Sequence, residues 1–193
     1  MGKLDEYRKK RNFRKTPEPE GKEKKEPGNF FVVQKHKAKK LHYDFRLEID
    51  GVLKSWAIPK GPTLNPSERR LAVQVEDHPV EYKNFEGIIP EGEYGAGTVI
   101  VWDEGFYEPL GENLSEGLKK GEIKFCLHGK KLRGKFALVK TKYQGSEKNW
   151  LLIKEKDEYA RKDIDITKEK PNSVKSGKKL EEITGGKNEP GQD

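Results

Sequence analysis

Residues 42–49, with the sequence His-Tyr-Asp-Phe-Arg-Leu-Glu-Ile, alternate between polar and apolar side chains. Successive side chains of a β-strand point to opposite faces, so this stretch predicts a strand with one face against a core. The apolar face carries Tyr43, Phe45, Leu47 and Ile49. The other face carries His42, Asp44, Arg46 and Glu48, with same-face neighbours about 7 Å apart along the chain.

The middle of the chain continues in short β-rich runs. Turn signals such as Asp50-Gly51 and Lys60-Gly61-Pro62 recur every eight to twelve residues. The runs between them are 30–34, 42–49, 52–58, 70–76, 98–102, 123–127, 135–141 and 150–154. About eight short strands at this spacing favour an all-β barrel or sandwich with minor helices, the best helix lying over 113–119. The glycine-rich segment 92–97 precedes a strand instead of a helix, which predicts a turn and not a phosphate-binding loop.

Charge and composition divide the chain into three segments. Residues 1–28 carry ten basic and six acidic groups with several Pro and Gly, which indicates a basic N-terminal arm, either mobile or wrapped in extended form, with a short helix within 4–13. Residues 29–163 form the β domain. Residues 164–193 carry six charges of each sign and few apolar side chains, which predicts a flexible C-terminal tail. The arm is suited to holding a phosphate backbone, and a solubilising role explains it equally well.

The bulk composition favours an anionic partner. The net charge is +7 over 193 residues, with 38% charged side chains. A single cysteine, Cys126, excludes a disulfide framework and a thiolate metal site. There is neither an apolar run long enough to span a membrane nor a signal peptide, so we expect a cytoplasmic protein without a membrane partner. A monomer is the simplest expectation for its oligomeric state.

The polar face of the 42–49 strand carries the chemistry. His42 and Asp44 offer an imidazole and a carboxylate that can share a metal ion, and Arg46 offers a guanidinium suited to a phosphate oxygen. His36 lies six residues before His42, and a short loop would fold it back beside them. Two histidines and one carboxylate make a site suited to Mn²⁺, Fe²⁺ or Zn²⁺. The alternative is a polar outer face whose histidines have no role.

A second group of polar residues lies at other strand ends. His78 directly follows a predicted strand and precedes a proline, a position where sites are commonly built, and Tyr82 lies close behind it. Lys60 and Arg70 would complete a positive pocket around a phosphate, although each is more often a plain surface charge. The three tryptophans lie within strand patterns, where core packing is the default role.

Four blocks of sequence in this order resemble the 3′-phosphoesterase module of the bacterial DNA ligase D family. The blocks are His36-(x5)-HYDFRLE, Ser55-WAIPKGP, Val75-EDHPVEY and Phe85-EGIIPEGEYGAGT. The resemblance continues over nearly the whole chain, including the arm and the late stretch 150–154. It implies a compact β-barrel that binds Mn²⁺ in a concave basic face.

The resemblance also implies an activity and roles for the residues. The expected activity is repair of DNA 3′ ends at double-strand breaks: a diesterase step removes a terminal ribonucleoside, and a monoesterase step then converts the 3′-phosphate to a 3′-OH. Three residues would bind Mn²⁺, with Co²⁺ or Zn²⁺ as alternatives: His36, His42 and Asp44. Arg46 and His78 would contact the scissile phosphate, with Tyr82 beside the reaction centre. Lys60 and Arg70 would handle the terminal phosphate.

The resemblance does not extend to ligase or polymerase domains, so the chain is most similar to the stand-alone versions of the module. The expected substrate is a primer–template with a 3′ ribonucleotide or 3′-phosphate, with a separate ligase or polymerase as candidate partner. In the expected mechanism the metal is a Lewis acid on a phosphate oxygen, and Arg46 stabilises developing charge. His78 has two possible roles, as a phosphate ligand or as the general acid.

Three other functions are compatible with part of the pattern. A barrel that only binds single-stranded nucleic acid needs exposed aromatic platforms, whereas most aromatics here occupy core-facing positions. A hydrolase or isomerase of a small phosphorylated metabolite explains the site but not the basic arm. A scaffold that recruits repair partners through its ends is compatible with catalysis.

Overall fold

The structure is a computed structural model that describes residues 2–26, 28–111 and 113–184. Most of its regular secondary structure consists of nine strands: β1 (Phe30–Lys37), β2 (Leu41–Ile49), β3 (Val52–Ile58), β4 (Arg69–His78), β5 (Gly87–Ile89), β6 (Gly97–Pro109), β7 (Glu122–Gly129), β8 (Arg133–Lys140) and β9 (Asn149–Lys154). The α-helices are short: α1 (Asp5–Lys9), α2 (Leu114–Lys120) and α3 (Ile166–Glu169). Single 3₁₀ turns lie at Val80–Asn84, Tyr143–Gly145 and Leu180–Glu182.

Eight of the strands close into an antiparallel barrel. The order is β1-β2-β3-β4-β9-β8-β7-β6, and β6 pairs with β1 to close the ring. The predicted all-β barrel is therefore confirmed, and the sandwich alternative is wrong because both long edges of the sheet are paired. Strand β5 extends the sheet outside the ring by pairing with the start of β6. A strand of three residues is too short to show an alternating pattern, so the sequence does not predict β5.

The barrel interior is apolar and follows the alternation of the strands. Phe45 and Trp56 face each other across β2 and β3, and Phe125 and Phe136 do so across β7 and β8. These four side chains are fully buried and belong to one cluster with the inward residues of the other strands. Burial of a large apolar side chain contributes about 1.5–3 kcal/mol, so this cluster is the main source of stability.

Part of the outer wall of the barrel is also covered. A second apolar cluster contains Tyr7 of the arm, Val32 and Leu53 of the wall, and Tyr82 and Phe85 from the segment after β4. Strand β2 is therefore buried on both faces along most of its length. The polar face predicted from alternation exists, but it faces a second layer of protein instead of open solvent.

The arm supplies much of this layer. Leu4 and Tyr7 are buried, and the Tyr7 hydroxyl donates a hydrogen bond to the carbonyl of Pro19. Residues 2–26 thus wrap the barrel in extended form, the second of the two arrangements that the sequence left open.

Residues 164–184 of the expected flexible tail also contact the barrel. The Trp102 indole donates to the carbonyl of Lys170 at 2.8 Å, and Ile166 is buried. The remaining residues of the predicted flexible tail, 185–193, lie outside the residues that the structure describes. The division into arm, barrel and tail stays a prediction.

Candidate metal centre

The hairpin of β1 and β2 places three potential metal ligands together. His36 pairs directly with His42 across the two strands, and Asp44 is the next residue on the same face of β2. One ligand atom from each of the three lies within 4.8 Å of the others. Nδ1 of His36 is 3.5 Å from Oδ2 of Asp44, and Nε2 of His42 is 3.3 Å from the same oxygen. The tight turn between the strands therefore produces the fold-back that the sequence suggested.

Backbone carbonyls orient both histidines. Nε2 of His36 donates to the carbonyl of Gly95 at 2.7 Å, and Nδ1 of His42 donates to the carbonyl of Lys40 at 3.1 Å. The other nitrogen of each ring faces the Asp44 carboxylate, where it donates a hydrogen bond when the ring is protonated and offers a lone pair to a metal ion when the ring is neutral. Metal-binding histidines commonly have this arrangement, because the bond at the far nitrogen sets tautomer and ring orientation.

The charges in this cluster favour an ionised carboxylate. Burial alone would raise the pKa of Asp44, but Arg46 and the hydrogen bonds from His36 and His42 prevail and hold it well below its usual value. Burial likewise opposes the charged form of His42, yet the hydrogen bond and charge of Asp44 outweigh it and raise the pKa of His42. The site therefore attracts positive charge, which a proton or a metal ion can supply.

Arg46 connects the ligand cluster to an unfilled hydrogen-bonding position. Its Nε donates to Oε1 of Gln34 at 2.8 Å, and its Nη2 lies 3.5 Å from Oδ2 of Asp44. Its Nη1 is buried and has no hydrogen-bond partner among the described residues. A buried guanidinium N–H without an acceptor is costly, so this position suits an anionic oxygen.

His78 is fully buried beside these residues and is held neutral. Its Nδ1 donates to the carbonyl of Glu76 at 2.9 Å, and its Nε2 accepts from Nη2 of Arg11 at 3.3 Å. Burial, with Arg46 and Arg11 close by, holds the pKa of His78 well below its usual value. A general acid needs a proton that His78 lacks in this state.

Tyr82 lies in the same cavity but its hydroxyl points toward the arm. The hydroxyl donates to Oε2 of Glu18 at 2.6 Å, and the ring lies 4.9 Å from the Arg46 guanidinium carbon. Burial, followed by the charge of Glu18, raises the pKa of Tyr82 well above its usual value. Tyr82 is thus a neutral phenol that packs against Arg46 and His78, which is the geometry of a positioning residue.

One cavity of about 200 Å³ is lined by the three metal-ligand candidates together with Arg46, His78 and Tyr82. Its walls include Arg11, Glu76, Tyr94 and Ile89 in addition to the cluster described above. This volume suits a phosphate and the part of a sugar next to it, because whole small-molecule sites usually measure about 300–1,000 Å³.

Lys60 and Arg70 do not line that cavity. They lie in a separate groove that also contains Arg69, Tyr143 and Leu151, and Arg70 pairs with Glu68 at 2.6 Å. By strand alternation Arg70 shares its face with buried Ala72, whereas Val75 on the opposite face lines the cavity. The register of β4 shifts between Val75 and His78, which brings Glu76 and His78 to the cavity as well but leaves Arg70 away from it. Lys60 and Arg70 therefore do not share the cavity of the metal ligands, and the positive pocket that they would complete around a phosphate stays a prediction.

Several residues in or next to the cavity were missed at the sequence level. Gln34, which accepts from Arg46, was detectable, because it lies two residues before His36 and so shares its face. Glu76 lies where the register of β4 shifts, so simple alternation does not place it. Arg11 and Glu18 carried no such signal, because the arm reaches the cavity only by packing on the barrel, where Arg11 pairs with Glu76 at 3.3 Å.

Comparison with known proteins identifies the family of the chain. Residues 34–140 match the family model described as the DNA ligase D 3′-phosphoesterase domain. The chain belongs to this family. The matched range contains the ligand cluster, Arg46, His78 and Tyr82.

The ligase D relatives are much longer proteins. The multifunctional non-homologous end joining protein LigD of Pseudomonas aeruginosa is 53% identical over 182 residues, which is 92% of this chain and 22% of that protein. The protein of the same name from Mycolicibacterium smegmatis is 49% identical over 81% of this chain and 21% of its own length. A LigD of Mycobacterium tuberculosis, named a DNA repair protein, is 50% identical over 72% of this chain and 18% of its own length. The chain thus spans about a fifth of each relative, and its likeness to stand-alone versions stays a prediction.

Within the described residues, the helices lack the length and apolar character needed to cross a membrane.

Proposed function

We propose that this chain is a phosphoesterase that heals DNA 3′ ends with the help of a divalent cation, Mn²⁺ in the first place. It removes a 3′-terminal ribonucleoside as a diesterase and a 3′-phosphate as a monoesterase. The observation that carries the proposal is the placement of two oriented histidines and an ionised Asp44 next to the unpartnered Nη1 of Arg46. One group of atoms suits a cation and the other suits an anionic oxygen, as hydrolysis of a phosphoester requires.

The donor set fits Mn²⁺ with room for further ligands. Nδ1 of His36, Nε2 of His42 and an oxygen of Asp44 would bind the ion, and Co²⁺ or Zn²⁺ suit the same mixed nitrogen and oxygen donors. When bound, the cation would supply Lewis-acid polarisation of the phosphate and would activate water. The carbonyls of Gly95 and Lys40 hold the two imidazoles so that no reorientation is needed on binding.

The chain's own residues would stabilise the phosphate. Arg46 donates from Nη1 to a phosphoryl oxygen while Gln34 fixes its Nε, so the guanidinium is oriented before substrate arrives. His78 starts neutral, so it becomes a donor to phosphate or to the leaving oxygen only after taking up a proton. Tyr82 and Arg11 hold the neighbouring side chains in place.

The size of the cavity favours a strand end over a small metabolite. About 200 Å³ accommodates a terminal phosphate and leaves most of a nucleotide outside. The net charge of +7 favours a polyanion as the body of the substrate. The names of the relatives support a role in non-homologous end joining, with a separate ligase or polymerase as the user of the 3′-OH.

A direct assay tests this function. Two primer–templates, one ending in a single ribonucleotide and the other in a 3′-phosphate, are incubated with the protein in Mn²⁺ or in EDTA. We expect conversion to a 3′-OH in Mn²⁺ only, with the 3′-phosphate as intermediate from the first primer. Tight binding of both primers without product would replace the phosphoesterase with a nucleic-acid-binding module.

A further inference from the structure

The loop between β5 and β6 places an exposed aromatic side chain at the rim of the cavity. Tyr94 is 46% exposed, whereas Tyr82, the other tyrosine of the cavity lining, is 3% exposed. Gly92 and Gly95 flank it with φ angles of 86° and 74°, a backbone conformation that glycine adopts freely. The glycine-rich turn recognised in the sequence therefore has a structural consequence, because it turns a large apolar ring outward beside the site.

This loop is fixed relative to the metal ligands and to the arm. The Gly95 carbonyl accepts the 2.7 Å hydrogen bond from His36. From the arm, Lys10 Nζ lies 4.9 Å and Arg11 Cζ 5.2 Å from the centre of the Tyr94 ring. A surface tyrosine without such contacts moves freely, whereas these contacts restrain the position of the Tyr94 ring.

The position matches what a nucleotide at the site would need. The cavity holds a phosphate and little more, so the attached base must lie at the rim. Every nucleobase stacks on an aromatic ring, and nearby cations attract the phosphate backbone and the π-system alike. Lys10 and Arg11 lie over the Tyr94 ring and supply the cations, and the part of the ring that they leave exposed offers the stacking surface.

We propose that Tyr94 is the stacking platform for the base of a nucleotide that adjoins the phosphate bound at Arg46. The ring then recognises a strand end through its base without reading its identity, because stacking tolerates all bases. This inference rests on the proposed function and adds a residue that determines the substrate class: an end with its base is preferred over an end without one.

The test compares Tyr94→Ala and Tyr94→Phe on matched primers. One primer is intact, a second lacks the base of the terminal nucleotide, and a third lacks the base of the penultimate nucleotide. We expect Tyr94→Ala to raise KM for the intact primer by about 5- to 100-fold, the range of one base stacked on an aromatic ring, with little change in kcat. Tyr94→Phe should retain the wild-type KM. One of the two abasic primers lacks the base that stacks on Tyr94. On that primer, wild type and Tyr94→Ala should have the same KM.

Two controls separate stacking from a structural role. Tyr159 is also exposed, at 41%, and lies outside the cavity lining, so Tyr159→Ala should leave every KM unchanged. The affinity for Mn²⁺ should be the same in wild type and Tyr94→Ala, since a loop that merely supports His36 would lower it. If Tyr94→Ala weakens Mn²⁺ binding, or raises KM equally for all three primers, the stacking role is wrong.

A binding measurement keeps this inference independent of turnover. A primer that carries 2-aminopurine in place of the stacked base is titrated with protein in EDTA, which removes the metal ion and so prevents the proposed hydrolysis. Stacking on the ring should quench the fluorescence in wild type and Tyr94→Phe but not in Tyr94→Ala. Absence of product in Mn²⁺ with quenching intact would defeat the phosphoesterase alone, and equal fluorescence in all three proteins would defeat the stacking platform alone.

Discussion

The barrel interior and the layer outside β2 are separated by a single strand yet differ in what they bury. The interior cluster is made of apolar side chains such as Phe45 and Trp56, which need no partner beyond close packing. The outer layer buries Asp44, Arg46 and His78 among apolar neighbours. Buried polar and charged groups are costly unless each one is paired. The interior therefore provides stability, whereas the outer layer uses part of that stability to hold reactive groups.

The largest expected effect is at the ligands of the outer layer. His42→Ala should lower turnover by more than about 100-fold, since even the residues that orient metal ligands typically account for 10- to 100-fold. It should also weaken Mn²⁺ binding measured by calorimetry. His128→Ala is the matched control, because the His128 side chain is 52% exposed, pairs with Glu108 and lies outside the cavity lining. Near wild-type turnover in His42→Ala would make the metal assignment wrong.

The contact between arm and site should come next. Arg11 pairs with Glu18 at 2.9 Å and with Glu76 at 3.3 Å, so Arg11→Ala leaves two buried carboxylates without this cation. We expect activity to fall by up to about 100-fold, the cost of misplacing a catalytic group by about 1 Å. The arm should also become sensitive to limited proteolysis.

Arg14→Ala serves as the control for Arg11→Ala, because Arg14 is an exposed arginine of the same arm. It should match wild type in both measurements. If Arg11→Ala and Arg14→Ala have the same activity and the same sensitivity to proteolysis, the arm covers the site without affecting its activity.

Rising pH should lower the stability of the metal-free protein but raise its affinity for Mn²⁺. The pKa of His42 is raised, so its ion pair with Asp44 stabilises the metal-free protein fully below the unfolded-state pKa of about 6.5 and loses this contribution as pH rises through the folded-state pKa. Mn²⁺ must displace the same proton, so affinity should fall by about tenfold per pH unit below that pKa. Urea denaturation in EDTA and Mn²⁺ titration, both between pH 5 and about 8, measure the two slopes. Slopes of the same sign would remove His42 from the ligand set.

The smallest effect on activity is expected in the interior. Leu138 and Leu53 are both fully buried, the first in the interior cluster and the second in the outer cluster, where it pairs with His78 on β4. Each Leu→Ala variant should lose about 2–5 kcal/mol of unfolding free energy in urea. Only Leu53→Ala should lower the turnover of the folded protein, because only its cavity adjoins the site. Equal turnover in both variants would mean that the two layers do not differ functionally.

Much of the fold followed from local pattern. Each of the eight predicted runs lies within or largely overlaps a strand, and the helix expected over 113–119 matches α2 to within one residue. Alternation along β2 also placed His42, Asp44 and Arg46 on one face, because side-chain direction in a strand depends only on sequence position. The turn between β1 and β2 is short enough that His36 had to return beside His42.

The tertiary structure decided everything that depends on contacts between distant segments. Three such contacts are the closure through β1 and β6, the packing of the arm on the barrel and the pairing of Arg11 with Glu76. They join residues far apart in the chain, and no local periodicity encodes them. The second layer of protein over β2 encloses the polar face in a cavity with Tyr94 at its rim, whereas Lys60 lies in a separate groove. The sequence alone thus determined which residue types share a strand face, since that is a matter of backbone geometry. Only the packing of a second layer decided which of them meet in the cavity.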